Sequence, residues 1–392
     1  MNTGGSRERD LAMWAMAAKE FRELSRDRRT VAMLVALPLL LLVVFGYAAS
    51  FDVGTIKTIV VGPQAQQFVD AANTYVDSPI EIVAVRPADG LAEADDALRR
   101  GQATVVVVAD ASRPAILVDG SDLFGARAAM EVFANLKAHS GPGTNIPITL
   151  PTPQILFNPD LKTSTIMVPA LAGMILVFVG TVATSLGVVR ERQSGTLEQL
   201  AVMPFRPVDI FVGKVLPYLV LAVVDMTLVI GAGIVIFGVP FNGNPLIFAL
   251  GAGLFLFVTL GLGVLISTVS ETQGQAIQLA LMTLLPQILL SGLIFPLASI
   301  AWGVRWISYF LPLTYFVEIS RGVLVRGAPI DSLITPLIAE TVLGGLVFGL
   351  SVMRFRRDLA PSGSDGHGRK GGKGGKGGTA DSGAAADTAP AQ

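Results

Sequence analysis

Between Thr165 and Val189 the chain runs for 25 residues without a charged side chain. A run of that length is what one helix needs to cross the hydrocarbon core of a bilayer, and it is too long and apolar for an ordinary surface helix. Similar runs are read at 31–49, 215–238, 246–270, 275–297 and 333–353, six in all with the first. The balance of residues agrees, with 52% hydrophobic and 15% charged, against roughly 25% charged in soluble domains. The expected fold class is an α-helical polytopic membrane protein with six transmembrane helices. Cysteine is absent, which excludes disulfides, thiol chemistry and cysteine-ligated metals. The two histidines, His139 and His367, lie outside every apolar run, so no metal and no cofactor is expected, and no nucleic-acid partner either.

Residues 1–30 hold seven Lys/Arg and no spanning stretch. Leu11, Trp14, Ala15, Ala18, Phe21 and Leu24 recur there at steps of three and four, the pattern of an amphipathic helix. Such a helix lies in the membrane interface or packs on its own protein. Residues 31–49, with Pro38 inside, form the first span. Ala48 and Ser50 are small enough for a signal-peptidase site, but the 30 residues before the run are too long and too mixed in charge for a basic n-region. The reading is an uncleaved anchor.

Residues 50–163 differ in kind. Short β-rich runs (Ile56–Val61, Ile80–Val85, Thr104–Ala109, Ala115–Val118) alternate with helical patterns (Ala65–Val76, Leu91–Arg100, Leu123–Lys137). Gly62-Pro63, Asp89-Gly90, Asp119-Gly120 and Gly141-Pro142-Gly143 punctuate them as turns. This predicts an α/β domain inserted between helices 1 and 2 and large enough for its own core. Eight Lys/Arg against thirteen Asp/Glu do not place it, because long loops cross membranes largely regardless of charge.

Span parity places it instead. With the N-terminus inside, the inner segments hold seven Lys/Arg before residue 31, four in the loop 190–214 and three at Arg354, Arg356 and Arg357. The short outer loops hold three, Arg305, Arg321 and Arg326. This satisfies the positive-inside rule and makes residues 50–163 extracytoplasmic. Residues 302–325 tempt a seventh span, but Pro312 interrupts them, Arg305, Glu318 and Arg321 charge them, and Trp302, Trp306, Tyr309, Phe310, Tyr315 and Phe316 crowd them. Such a segment suits a re-entrant pair of half-helices, read as part of 298–331 within the membrane region 164–357. Residues 358–392 read as a disordered cytoplasmic tail. Its GRKGGKGGKGGT imitates a phosphate loop, yet no lysine of the repeat is followed by the Ser or Thr that a phosphate loop needs.

The segment 190–218, RERQSGTLEQLAVMPFRPVDIFVGKVLPY, is charged, proline-punctuated and held between two spans. Thr196-x-x-Gln199 has the form of a capping box that starts a short helix. Leu197, Leu200 and Ala201 share one face of it. Pro204 and Pro207 stop that helix, and Pro207 suits the first turn of the next. A rigid helix at the membrane face is a docking surface for a soluble partner.

The run from Glu191 through Gly195, Thr196, Glu198, Gln199 and Leu200, then Pro204-Phe-Arg206-Pro207, then Gly213-Lys214-Val-Leu-Pro217-Tyr218, resembles the cytoplasmic loop of ABC-2 type permeases. Ser291-Gly-Leu-Ile-Phe-Pro296, with Pro312-Leu-Thr-Tyr-Phe316 and Arg321-Gly322, resembles the fifth span's end and the re-entrant region of the same family. The resemblance covers about residues 10–357 and is closest to the subfamily with a large extracytoplasmic domain between spans one and two. It implies a permease subunit of an ABC exporter in the cell membrane, without an ATPase site of its own. It also implies two copies of a separate ABC ATPase docked on the residues just named, and a second permease copy, identical or related. No Walker A pattern occurs in the sequence.

Four residues are candidates for the pathway. Asp225 lies midway along the run 215–238, as a proton- or substrate-coupling group or as a carboxyl hydrogen-bonded to a neighbouring helix. Glu318 and Arg321, spaced i, i+3, can pair on one re-entrant helix. Glu340 lies nearer the outer end of the last span, within reach of water. Gly345-x-x-x-Gly349 offers a helix contact. Walls of Leu, Val, Ile, Gly and Ala favour an amphipathic, lipid-like or drug-like cargo. The alternatives are a proton-coupled secondary transporter, or a non-transporting scaffold or receptor on ABC-2-like spans.

Overall fold

The computed structural model describes residues 55–72, 80–139, 151–194 and 207–359. The expected amphipathic helix at 1–30, the span at 31–49, the tail and the loop residues Gly195, Thr196, Glu198, Gln199, Leu200, Pro204 and Arg206 lie outside them.

The α/β region comprises β1 (Ile56–Val61), α1 (Ala65–Ala72), β2 (Ile80–Arg86), α2 (Leu91–Arg99), β3 (Val105–Val108), β4 (Ala115–Asp119), α3 (Leu123–His139) and β5 (Gln154–Leu156). The strands form one sheet in the order β2-β1-β3-β4-β5, parallel throughout except for the β3–β4 pair. Strand side chains alternate between two cores. Ile56, Val60, Val105, Val107, Ile116 and Val118 join Phe68 of α1 and Phe133 of α3 in one cluster. Ile59, Val61, Val106, Val108 and Leu117 join Ala94, Ala97 and Leu98 of α2 in the other. Because helices cover both faces, β3 reads as an unbroken apolar run, and β1 does so from Ile59 to Val61, rather than as alternation. The sequence misses β5, which is three residues long and carries a polar Gln154. Asn158 fastens the exit from this domain, its Nδ2 donating to the Gly120 and Lys162 carbonyls at 3.3 and 3.1 Å.

The helical region follows: α4 (Thr163–Gln193), α5 (Pro207–Phe237), α6 (Pro245–Val269), α7 (Gln273–Leu290), α8 (Trp302–Ser308), α9 (Pro312–Ser320), a π-helical turn (Arg321–Arg326) and α10 (Ile330–Leu359). Among the described residues, four helices are long and apolar enough to cross a membrane: α4, α5, α6 and α10. The span expected at 275–297 is shorter, because α7 stops at Leu290. Gly292 takes φ +83, a left-handed conformation that glycine adopts without strain, and Pro296 follows. The segment expected as a loop at 190–214 is helical at both ends, α4 running to Gln193 and α5 starting on Pro207. Arg190 and Arg192 in the last turn of α4 favour that extension by complementing the helix dipole.

Over residues 302–320 the chain forms two short helices rather than a seventh span, α8 and α9, broken at Tyr309–Leu311 with Pro312 opening the second. They differ sharply in burial. Trp302, Trp306, Tyr309 and Phe310 on and after α8 are exposed, whereas Leu313, Phe316 and Ile319 of α9 are fully buried. The Phe316 ring stacks on Phe255 of α6, with centroids 4.3 Å apart. On its other side it lies against Gly173 of α4, where any Cβ would run into the ring. Small residues also bring α4 and α6 together: a Cβ on Gly263 would meet the Thr181 carbonyl oxygen at 2.8 Å. Among the described residues, nothing lies within 4 Å of a Cβ at Gly345 or Gly349, so neither joins α10 to another described helix.

Candidate functional site

At the end of α4 that leads into the segment 195–206, Glu191 and Arg192 are half-buried. Arg192 Nη1 donates to the Ser267 and Ser270 carbonyls at 3.0 and 3.2 Å, which satisfies acceptors at the end of α6. Gln193 Nε2 donates to the Glu271 carbonyl at 3.3 Å, and Gln193 Oε1 accepts from Gln273 Nε2 at 3.0 Å. The α4 terminus is thereby tied to the α6–α7 turn. Pro207 is the first residue of α5.

A groove of about 310 Å³ runs between α4 and α5, walled by Ile175, Val179, Leu221 and Leu228, with Tyr218 and Asp225 as its polar groups. Asp225 is half-buried. Its expected hydrogen bond to a neighbouring helix is not formed among the described residues: it stands on the groove side of α5, where its neighbours are apolar. The two helices approach closely at one end of the groove, where Gly187 leaves no space beyond its hydrogen beside the Tyr218 hydroxyl. Away from the groove, α5 leaves Leu216, Val220, Val223 and Val235 uncovered.

Where the α/β domain meets the helical region, a second cavity of about 270 Å³ is strongly polar, lined among others by Lys57, Asp119, Asp122, Glu318, Arg321 and Arg326. Asp119 ends β4 and is 3% exposed. Its Oδ1 accepts the Ser121 N–H at 2.8 Å and its Oδ2 lies 3.7 Å from Arg326 Nη1. Burial pushes the Asp119 carboxyl up from its ordinary range, against the downward pull of Arg326 and Ser121. Arg99 Nη1 donates to the Arg326 carbonyl at 3.2 Å, and Arg100 pairs with both Asp96 and Asp331. These contacts seat α2 on the π-helical turn and the start of α10. Asn242, between α5 and α6, holds the same turn by donating from Nδ2 to the Val325 carbonyl at 2.7 Å. Gly327 ends the turn at φ +63, beside the Asn242 carbonyl.

The expected Glu318–Arg321 ion pair does not form. Glu318 is exposed, and Arg321 Nη2 instead donates to the Leu293 carbonyl at 3.3 Å. Arg321 is still α-helical relative to Glu318, but its side chain turns to the chain after α7. Glu340, expected within reach of water, is 0% exposed, because α6 and α9 pack on α10; both its carboxylate oxygens lack a hydrogen bond among the described residues. Sequence reasoning passes over Asp119, since Asp119-Gly120 reads as turn punctuation. It also passes over Arg326, Arg100 and Asp331, which are far apart in the chain and carry no motif.

The profile of "ABC-2 family transporter protein" matches residues 28–353. The chain is 28% identical over 368 residues to the "Probable multidrug ABC transporter permease YbhS" of Escherichia coli K12, covering 88% of this chain and 97% of that protein. It is 31% identical over 201 residues to the "Probable multidrug ABC transporter permease YbhR" of the same strain, covering 51% of this chain and 55% of that one. It is 30% identical over 203 residues to "ABC transporter G family member 20" of Dictyostelium discoideum, covering 52% of this chain and 28% of that one. With four helices fit to cross a membrane and a family match over most of its length, the chain belongs to the ABC-2 transporter family, as a multi-pass permease whose family implies an ABC ATPase partner.

Proposed function

We propose that this permease is the membrane half of an ATP-driven exporter in the cytoplasmic membrane, with both termini on the cytoplasmic side. The observation that carries the reading is the groove between α4 and α5. It is walled by carbon, it holds few polar groups, and it borders the uncovered face of α5. A second permease copy laid against that face would turn the groove into an enclosed path. Such walls favour an amphipathic, lipid-like or drug-like cargo, and the word "multidrug" in the names of two E. coli relatives supports the same class.

Work enters at the opposite end of α4 from the α/β domain. A helix of 31 residues is about 46 Å long at 1.5 Å per residue. It therefore separates the α/β domain, read as extracytoplasmic, from the segment 190–214. In this reading an ATPase docks on Glu191, Gly195, Thr196, Glu198, Gln199, Leu200, Pro204, Arg206 and Pro207, two ATPase copies serving two permease copies. The bonds of Arg192 and Gln193 to the α6–α7 turn support coupling, because a push on the docked segment displaces three helices together. Glu198→Lys is expected to abolish co-purification of the ATPase while leaving membrane abundance unchanged. Undiminished association in that variant would count against the docking role.

A further inference from the structure

We propose that the cavity between the α/β domain and the turn Arg321–Arg326 is an anion-binding site, taking a phosphate or carboxylate group with Arg321 as its principal counter-charge. The site is independent of whether the protein exports anything, and it lies apart from the groove between α4 and α5.

Six charged side chains line the cavity in equal numbers of each sign, but they are not equally satisfied. Asp119 has the Ser121 N–H and Arg326. Asp122 accepts the Gly125 N–H at 3.0 Å and the Thr104 hydroxyl at 3.3 Å, as a cap of α3. Glu318 and Lys57 are exposed, where water solvates them. Arg321 differs from all of these. It is half-buried, makes no ion pair among the described residues, and donates a single bond, of 3.3 Å, to a neutral carbonyl. Its Nε is shut away from solvent without an acceptor, as is the Nε of Arg326.

A guanidinium taken out of water is tolerated when an anion meets its fork of donors, and it is costly otherwise. The Ser291 hydroxyl, also buried and lacking an acceptor among the described residues, lines the same space and adds a neutral donor. The two arginines and the serine thus present donors to one volume in which Asp119 and Asp122 are already engaged and Glu318 faces water. A volume of about 270 Å³ admits a headgroup-sized anion and leaves no room for a bulky ligand.

Two sources supply this chemistry, the headgroup of an anionic lipid and a free inorganic anion. The test uses the full chain in maltoside micelles, which contain no phosphate, and measures thermal unfolding and native mass spectra. The probes are phosphatidylglycerol and inorganic phosphate, with diacylglycerol as the uncharged control. At least one anionic probe is expected to raise the melting temperature and remain bound, and diacylglycerol to do neither. A response to phosphatidylglycerol alone assigns the site to a lipid headgroup, and a response to phosphate assigns it to a free anion. Loss of a charge-assisted contact in Arg321→Gln should weaken binding about tenfold or more, with Arg321→Lys in between. Where Arg321→Gln does not fold, Ser291→Leu decides, since it fills the cavity and keeps both arginines. Binding unchanged in Ser291→Leu and Arg321→Lys overturns the proposal. So does the absence of any response, which would mean that the chain supplies its own counter-charge.

Discussion

Asp225 sets a carboxyl among Ile175, Val179, Leu221 and Leu228 without a hydrogen-bond partner among the described residues. In an ATP-driven pump the energy comes from the partner, so Asp225→Asn is expected to retain most ATP-dependent export from inverted vesicles. Complete loss of export at normal membrane abundance would instead favour proton coupling and the alternative reading of a secondary transporter. Asp119 makes a prediction of a different kind, from linkage. Its carboxyl is raised by burial in the folded protein, so the folded state holds the proton more tightly than the unfolded state does. Its contribution to stability is therefore greatest below the unfolded value of 3.8 and falls as pH rises through the folded value. The melting temperature of the parent minus that of Asp119→Asn should accordingly decline between acid and neutral pH. A flat difference would show that the carboxyl titrates in its ordinary range.

Among the elements, α9 is the one whose packing is most exacting. Phe316 fills the space between Gly173 and Phe255, so its removal leaves a ring-sized void among α4, α6 and α9. Phe316→Ala is expected to cost about 3–5 kcal/mol, the range for emptying a buried aromatic site, and Gly173→Val to be comparably harmful through overpacking. Trp302→Ala should change the melting temperature little, since that side chain is 87% exposed. The sequence reveals that residues 302–325 are not an ordinary span, because Pro312, Arg305 and Glu318 break the apolar pattern. It does not reveal which half is buried, because aromatic residues crowd both and their partners come from α4 and α6. The same limit explains the rest. β1 to β4 and α1 to α3 are legible from runs of β-branched residues and helical spacing, whereas β5 is too short to carry a period. Asp225 is conspicuous as a lone charge in an apolar run. The cavity at Arg321 is not, because its walls come from five distant stretches of chain.

At the scale of the whole molecule, the α/β domain rests on the helical region largely through polar contacts: Arg99 on the Arg326 carbonyl, Arg100 on Asp331, and Arg326 on Asp119. The two sheet cores and the core of the helical bundle form separate clusters, and Phe157 packs against the bundle core and the sheet core on the α2 side. The Arg100–Asp331 pair is largely solvated and adds little, whereas Arg326–Asp119 is withdrawn from water and is costly to break. Because the cores are separate, each part would keep its own packing if this seat on the turn Arg321–Arg326 opened, at the cost of the Arg326–Asp119 pair. That turn is continuous with α9, which is wedged among α4, α6 and α10, so movement at one is felt at the other. The absence of cysteine makes this directly testable, because introduced thiols would be the only ones present. Arg100→Cys with Asp331→Cys, joined by a short bis-maleimide, is expected to stop ATP-dependent export while leaving ATPase co-purification intact. The uncrosslinked double variant should export normally, since each lost ion pair is exposed. Export that continues undiminished after quantitative crosslinking would make the α/β domain a fixed cap, and transport would then proceed through the groove between α4 and α5 with the seat of that domain unchanged.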